Sequence, residues 1–249
     1  MELVYCAAGN RRFAEIAIAA GYTYGAQLPN TVYYPPQFAD QNWKRPNRTA
    51  YMVALAQHRP RMATVLDLER PDQLAEVLEW AEEAAAYVQT VIVIPKYSGA
   101  TAQLPRTIGG ATVRLGYSVP TKFGATLVNL GEFVGWPVHL LGGTPQRQMR
   151  LTQYLDVQSA DGNAAQRAAN YGTVFYNGGW VTSINRANGD IYEAFAASCR
   201  NIVAYWQRRH EPLPLFADAQ AQPHLIAPAA VEGMAELKAF WPDLDDAIP

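Results

Sequence analysis

PVHLLGGTPQRQMRLTQYLDVQSADGN, residues 137–163, holds two apolar runs separated by a helical segment. The first run stops at Gly142-Gly143, and the second ends on the carboxylate of Asp161, followed by Gly162-Asn163. Strand, helix start at Thr144-Pro145, then strand is the pattern of a β-α-β unit whose strands run parallel. Strands of a parallel sheet covered by helices read as nearly continuous apolar runs, as these do. Their polar ends then fall at one edge of one sheet.

The same alternation continues outward in both directions. Strand-like runs lie at 3–7, 22–28, 62–69, 90–97, 111–120, 137–143, 155–163 and 172–180. Helical patterns separate several of them. RRFAEIAIAAG places Phe13, Ile16, Ala17 and Ala20 on one face before Gly21. After Pro71, the residues Leu74, Val77, Leu78, Ala81, Ala85 and Val88 recur at helical spacing. Eight strands alternating with helices predict an α/β fold, a single (β/α)8 TIM-type barrel. A closing helix is expected from residue 190, then a Pro- and Ala-rich extension from about residue 211 with a short helix near 230–241.

A chain of 249 residues, 49% hydrophobic, suits one such barrel and leaves no room for a second folded domain. The formal net charge of -2 excludes nucleic-acid binding by bulk electrostatics but not a local basic surface. Cys6 and Cys199 stand far apart with no CxxC or Cys/His cluster, so neither a disulfide framework nor a structural metal site is expected. With no long apolar span and no signal-like N-terminus, the reading is a cytoplasmic protein without a membrane partner.

In such barrels chemistry sits where strands end and the following loops begin. Those positions hold Asp67 and Glu69, Lys96 and Tyr97, Tyr117 and Ser118, Gly142 and Gly143, Gln158 to Asn163, and Asn177 with Trp180. Asp67 and Asp161 would face each other across the mouth, one to meet developing charge and the other to bind or move a proton. Plainer readings compete. A strand-end Asp often caps the next helix, and Gly142-Gly143 can serve only as a tight turn. His139 lies within its strand and reads as a hydrogen-bonded core residue.

The order VLDLE, VIVIPKYSG, RLGYSVPTK, PVHLLGG and DVQSADGN resembles the latter part of the tRNA-guanine transglycosylase family. Those (β/α) barrels exchange a base in nucleic acid for a 7-deazaguanine, and relatives modify phage and bacterial DNA. The resemblance spans about residues 62–172 and rests on order and spacing. It implies that Asp67 takes the place of a base-binding Asp and that Lys96-Tyr97 stand where the family has a Gln. Leu140-Leu141-Gly142-Gly143 is similar to a Leu-Met-Gly strand end, and Asp161 falls at the nucleophilic Asp. Two departures are evident. The Cys/His zinc cluster is missing, which shifts the expected partner from tRNA to DNA. The early Asp-Ser-Gly-Gly-Phe segment is also missing, which leaves the proton-transfer residue open, with Asp40 as a candidate.

What the resemblance implies is an enzyme acting without a cofactor on the N-glycosidic bond of a flipped base, because the sugar carbon cannot be reached inside a duplex. Asp161 and Asp67 form the expected catalytic pair. Lys96, Tyr97, Tyr117, Ser118, Gly142, Gly143, Gln158 and Asn163 would hold the base. Lys44, Arg45, Arg48, Arg59, Arg61 and Lys122, with the QRRH run at 207–210, would meet the backbone, and Trp43 would stack. Loss of the early Asp motif favours a DNA glycosylase that excises a modified base, as in defence against phages with altered genomes. Base exchange, an unrelated barrel hydrolase and an inactive nucleic-acid-binding barrel are the alternatives.

Overall fold

The computed structural model describes residues 1–6, 10–121, 126–182 and 190–208. The extension from about 211, the helix near 230–241, Lys122 and the last two residues of QRRH lie outside the described residues.

The strands are β1 (Glu2–Tyr5), β2 (Thr23–Leu28), β3 (Phe38–Gln41), β4 (Met62–Thr64), β5 (Thr90–Val93), β6 (Thr107–Ile108), β7 (Ala111–Ser118), β8 (Pro137–Leu141), β9 (Asp156–Asp161), β10 (Thr173–Tyr176) and β11 (Gly179–Thr182). The helices are α1 (Arg11–Ala19), α2 (Arg48–His58), α3 (Leu74–Ala85), α4 (Pro145–Leu151), α5 (Ala164–Asn170) and α6 (Ile191–Gln207). Neighbouring strands follow the order β5-β4-β3-β2-β1-β9-β8-β7, and β5 pairs with β7 to close the ring. Every pairing in that ring is parallel. The result is the closed eight-stranded (β/α) barrel that the sequence predicts.

One strand of the eight is not the expected one. Segment 172–180 does not enter the barrel; β10 and β11 pair antiparallel as a hairpin against α6. Its turn is Asn177-Gly178, both at positive φ, the geometry a two-residue hairpin loop requires. The place in the ring belongs to β3, FADQ, which pairs with β2 and β4.

Local sequence explains the remaining elements. The side chain of Asn10 accepts from the Phe13 N–H to start α1, Asn47 accepts from Ala50 to start α2, and Thr144 accepts from Arg147 ahead of Pro145 in α4. In α3 the expected stripe turns inward, with Val77 and Ala81 buried and Leu74, Leu78 and Ala85 partly covered. No helix among the described residues is long and apolar enough to cross a membrane.

Two apolar layers result. Val4, Phe38, Met62, Ile92 and Ile94 fill the inside of the barrel, while Tyr5, Leu55, Val91, Tyr117 and Phe195 belong to the larger layer between strands and helices. The inner space is tight. A Cβ on Gly25 would stand 2.8 Å from Phe38 and 2.9 Å from Val4, so only glycine lets the Phe38 ring fill the barrel. Truncating that ring to alanine would cost about 3–5 kcal/mol.

Candidate active site

Side chains alternate between inside and outside along each strand, so the inner layer dictates which residue at each strand end faces the mouth. Val4 inside puts Cys6 inside, and Phe38 does the same for Asp40. Gly25 leads to Gln27, Gly116 to Ser118 and Ser159 to Asp161. Ile92 and Ile94 on β5 and its extension lead to Lys96. The C-terminal mouth therefore gathers a thiol, an amide, an amine, a hydroxyl and carboxylates from separate strands.

Asp161 is tied to the end of the neighbouring strand. Its Oδ1 accepts from the Gly142 N–H at 2.9 Å. Gln148 of α4 donates to the carbonyls of both Gly142, at 2.8 Å, and Asp161, at 2.6 Å, so one side chain holds the ends of β8 and β9 together. Gly142 and Gly143 both adopt positive φ, and a Cβ on Gly143 would lie 2.4 Å from Val119. The turn thus requires glycine at 143 and favours it at 142, and it also aims an N–H at the carboxylate. The helix-cap reading does not apply to Asp161, since Asn163 occupies the cap position of α5.

Asp67 is not a cap either. Its Oδ2 lies 3.6 Å from the Lys96 Nζ, which donates to Ser118 Oγ at 2.6 Å. Burial raises the Asp67 carboxyl above its usual range against the opposing pull of Lys96. Burial likewise lowers the Lys96 ammonium, with Asp67 pulling the other way. Each partner is pushed toward neutrality by loss of water and held charged by the other.

Asp40 is the carboxylate that apolar patterning did not find. Its Oδ1 accepts from Thr64 Oγ1 at 3.0 Å, and Gln27 also donates to it. Burial, then the charge of Asp161 and, less strongly, that of Asp67 raise its pKa to about 7, against the opposing hydrogen bonds. A carboxyl there exchanges a proton near neutral pH. The Cys6 thiol is pushed well up by burial and by Asp40 and Asp161, so it is no ready nucleophile. No group of three or more His, Cys, Asp or Glu among the described residues is placed to hold a metal ion.

Several expected contacts sit elsewhere. Tyr117 points outward and packs edge-on against Phe133 at 5.3 Å, because its neighbour Gly116 takes the inner position. Tyr97 packs on the helix-side layer, and its hydroxyl meets Gln103. Gln158 falls at an irregularity of β9 and bonds to Asp156, at the strand's opposite end. These three leave the expected base-holding set. Asn163 remains exposed just past β9. Arg48 is taken up by Glu83 at 2.8 Å and Glu79 at 3.2 Å. Arg59 and Arg61 precede β4 and so lie at the far end of the barrel, where Arg61 pairs with Glu2 at the start of β1. Lys44 and Arg45 do follow β3 on the mouth side, beside Trp43, which is 55% exposed with Lys44 Nζ 5.2 Å from its ring centre.

Fold and mouth together define a parallel (β/α) barrel with converging carboxylates at the C-terminal ends of its strands. The chain belongs to the family of unknown function DUF6610, whose model matches residues 17–207. That span contains Asp40, Asp67, Lys96, His139 and Asp161. None of the curated proteins matches the chain in sequence.

Proposed function

We propose that the protein cleaves the N-glycosidic bond of a nucleotide held in the barrel mouth, as a DNA glycosylase excising a modified base. The observation that carries this reading is the pair Asp40 and Asp161, two carboxylates in one mouth with divergent environments. Expelling a base from a sugar carbon needs a proton for the leaving nitrogen and a negative charge for the oxocarbenium-like sugar. Asp40, with a pKa of about 7, supplies the first. Asp161, held by the Gly142 N–H, supplies the second, as nucleophile or as stabilising charge. Water then takes the base's place at the sugar carbon, and the proton it releases returns to Asp40.

Lys96, Ser118 and Asp67 form a polar wall on which the edge of a base can be read, with donors and an acceptor side by side. Trp43, Lys44 and Arg45 offer a stacking and phosphate-binding rim on the mouth side. DNA is favoured over tRNA on the sequence alone, whose two cysteines, Cys6 and Cys199, stand far apart and form no Cys/His cluster of the kind the resembled family has.

The test is base release. The protein is incubated with phage DNA carrying modified bases and with unmodified DNA, and free bases are identified by mass spectrometry while mild alkali reveals abasic sites. Released modified base with alkali-labile breaks supports excision. Incorporation of labelled 7-deazaguanine into unbroken strands would replace excision by exchange, and binding without either reaction would reduce the protein to a nucleic-acid-binding barrel.

A further inference from the structure

Beneath Asp161, inside the barrel, runs a line of polar groups that neither the apolar core nor the proposed chemistry accounts for. Arg114 Nη1 donates to Ser159 Oγ at 2.7 Å. Ser159 Oγ stands 2.6 Å from His139 Nδ1. His139 is fully buried and stacks on Phe38 with ring centres 4.9 Å apart. Its Nε2 finds no hydrogen-bond partner among the described residues, and it lies 3.6 Å from Asp161 Oδ1.

Donor and acceptor accounting decides which ring nitrogen carries the proton when the ring holds only one. A guanidinium can only donate, so Ser159 Oγ is an acceptor toward Arg114 and keeps its own proton for another partner. The choices are His139 Nδ1 at 2.6 Å or the thioether of Met62 at 4.0 Å. The sulfur is both weak and distant, so the hydroxyl proton goes to Nδ1. The ring proton then sits on Nε2, facing Asp161. The opposite arrangement would aim a bare nitrogen lone pair at a carboxylate in a buried site.

We infer that His139 is the positioning residue of Asp161, presenting an Nε2–H to Oδ1 through an Arg114–Ser159–His139 line. Gly142 and His139 both address Oδ1, which leaves Oδ2 as the oxygen that meets the substrate. At 3.6 Å the contact is longer than a hydrogen bond, and it closes when substrate settles the carboxylate, as catalytic contacts commonly tighten on binding. The role given to Oδ2 rests on the proposed glycosidic chemistry; the tautomer does not.

The experiment has two arms. In the first, the full chain is labelled with 15N-histidine, and His139→Gln identifies the His139 signals among the four histidines. A proton on Nε2 and none on Nδ1 is expected, and Ser159→Ala should redistribute it, since the hydroxyl donor is gone. A proton on Nδ1 in the wild type overturns the inference. In the second arm, base release is measured for two substitutions. His139→Leu removes the donor and should lower kcat about tenfold to a hundredfold with KM unchanged, the scale of one hydrogen bond to a charged group. His139→Gln keeps an N–H near the Nε2 position and should stay within about threefold of wild type. Equal loss in both variants, or a loss confined to KM, overturns the positioning role. If the wild type releases no base, the proposed function fails while the nitrogen spectra still decide the tautomer.

Discussion

Asp40 offers a test that needs no substrate. Its folded pKa of about 7 compares with an ordinary value of 3.8, a difference of about three units. At roughly 1.4 kcal/mol per unit this corresponds to about 4 kcal/mol. Asp40 keeps some exposure at the mouth, and solvent screening reduces the expected effect to about 2 kcal/mol. The sign follows from which state holds the proton. Below the unfolded pKa both states are protonated and Asp40 contributes nothing. Between the two values the folded chain keeps a proton that the unfolded chain has released, so stability falls as pH rises, and it levels off above about 7.

Asp40→Asn preserves the shape and the acceptor for Thr64 but removes the titration. Urea unfolding of both proteins at about pH 5 and about pH 8 isolates Asp40, because Asp67, Lys96 and the other groups titrate in both. Between these pH values, which span about two of the three units, the wild type should lose about 1 kcal/mol more stability than Asp40→Asn, which should be the more stable of the two at the higher pH. Parallel pH curves for the two proteins would refute the reasoning and remove Asp40 as the proton-carrying group.

Other expectations follow from the same geometry. Asp161→Asn should lower base release by about a thousandfold or more while folding and DNA binding survive, and turnover at the wild-type rate would place the chemistry elsewhere. Gly143→Ala should destabilise by about 2–4 kcal/mol, because positive φ adds to a clash with Val119 at 2.4 Å. Gly142→Ala, with nothing within 4 Å, should cost only about 1 kcal/mol, and urea midpoints compare the two. Lys96→Met strands a buried carboxylate and should cost about 2 kcal/mol, most of it restored by adding Asp67→Asn; no restoration would mean that the pair is not coupled. Trp43→Ala should leave stability within about 0.5 kcal/mol yet weaken single-stranded DNA binding by about 1–3 kcal/mol, as read by fluorescence titration.

The barrel was legible because its strands carry an apolar outer face against the helices, and a run such as TVIV at 90–93, apolar on its inner face as well, has few other ways to bury itself. The hairpin at 173–182 shares that apolar character, so patterning alone admits it as a barrel strand. The Asn177-Gly178 pair is the local signal that separates it, since such a turn joins antiparallel neighbours and a parallel barrel needs crossovers. The missed strand, FADQ, has the opposite character. Of its four residues one inward position holds Phe38, which fills the barrel, and the other holds Asp40, which faces the mouth. So short a segment, half polar, shows no period. What could have found it is counting: 33 residues separate the end of β2 from the start of β4, enough for a strand and the helix α2, and parallel neighbours joined by so long a crossover leave room for one between.

The candidate site divides along the same line. Asp67, Lys96, Ser118, Gly142 and Asp161 end apolar runs and were visible for that reason, whereas Tyr117 ends one too but on the wrong side of the alternation. Only the inner position of Gly116 decides this, and it depends on the close approach of Ile94 and Leu141. His139 was read as a buried, hydrogen-bonded core residue, and it is buried; its neighbours across the barrel give that burial a purpose. Arg114 of β7 and Ser159 of β9 lie 45 residues apart, and no spacing in the sequence signals that they meet. A polar residue at an inner position of so short a strand weakens the pattern by which that strand is recognised, which is why Asp40 went unseen by patterning while Asp161, at the end of a longer run, did not. Closing the ring recovers it: once β3 takes its place between β2 and β4, strand alternation puts Asp40 at the same mouth as Asp161, near enough for the charge of one to raise the pKa of the other.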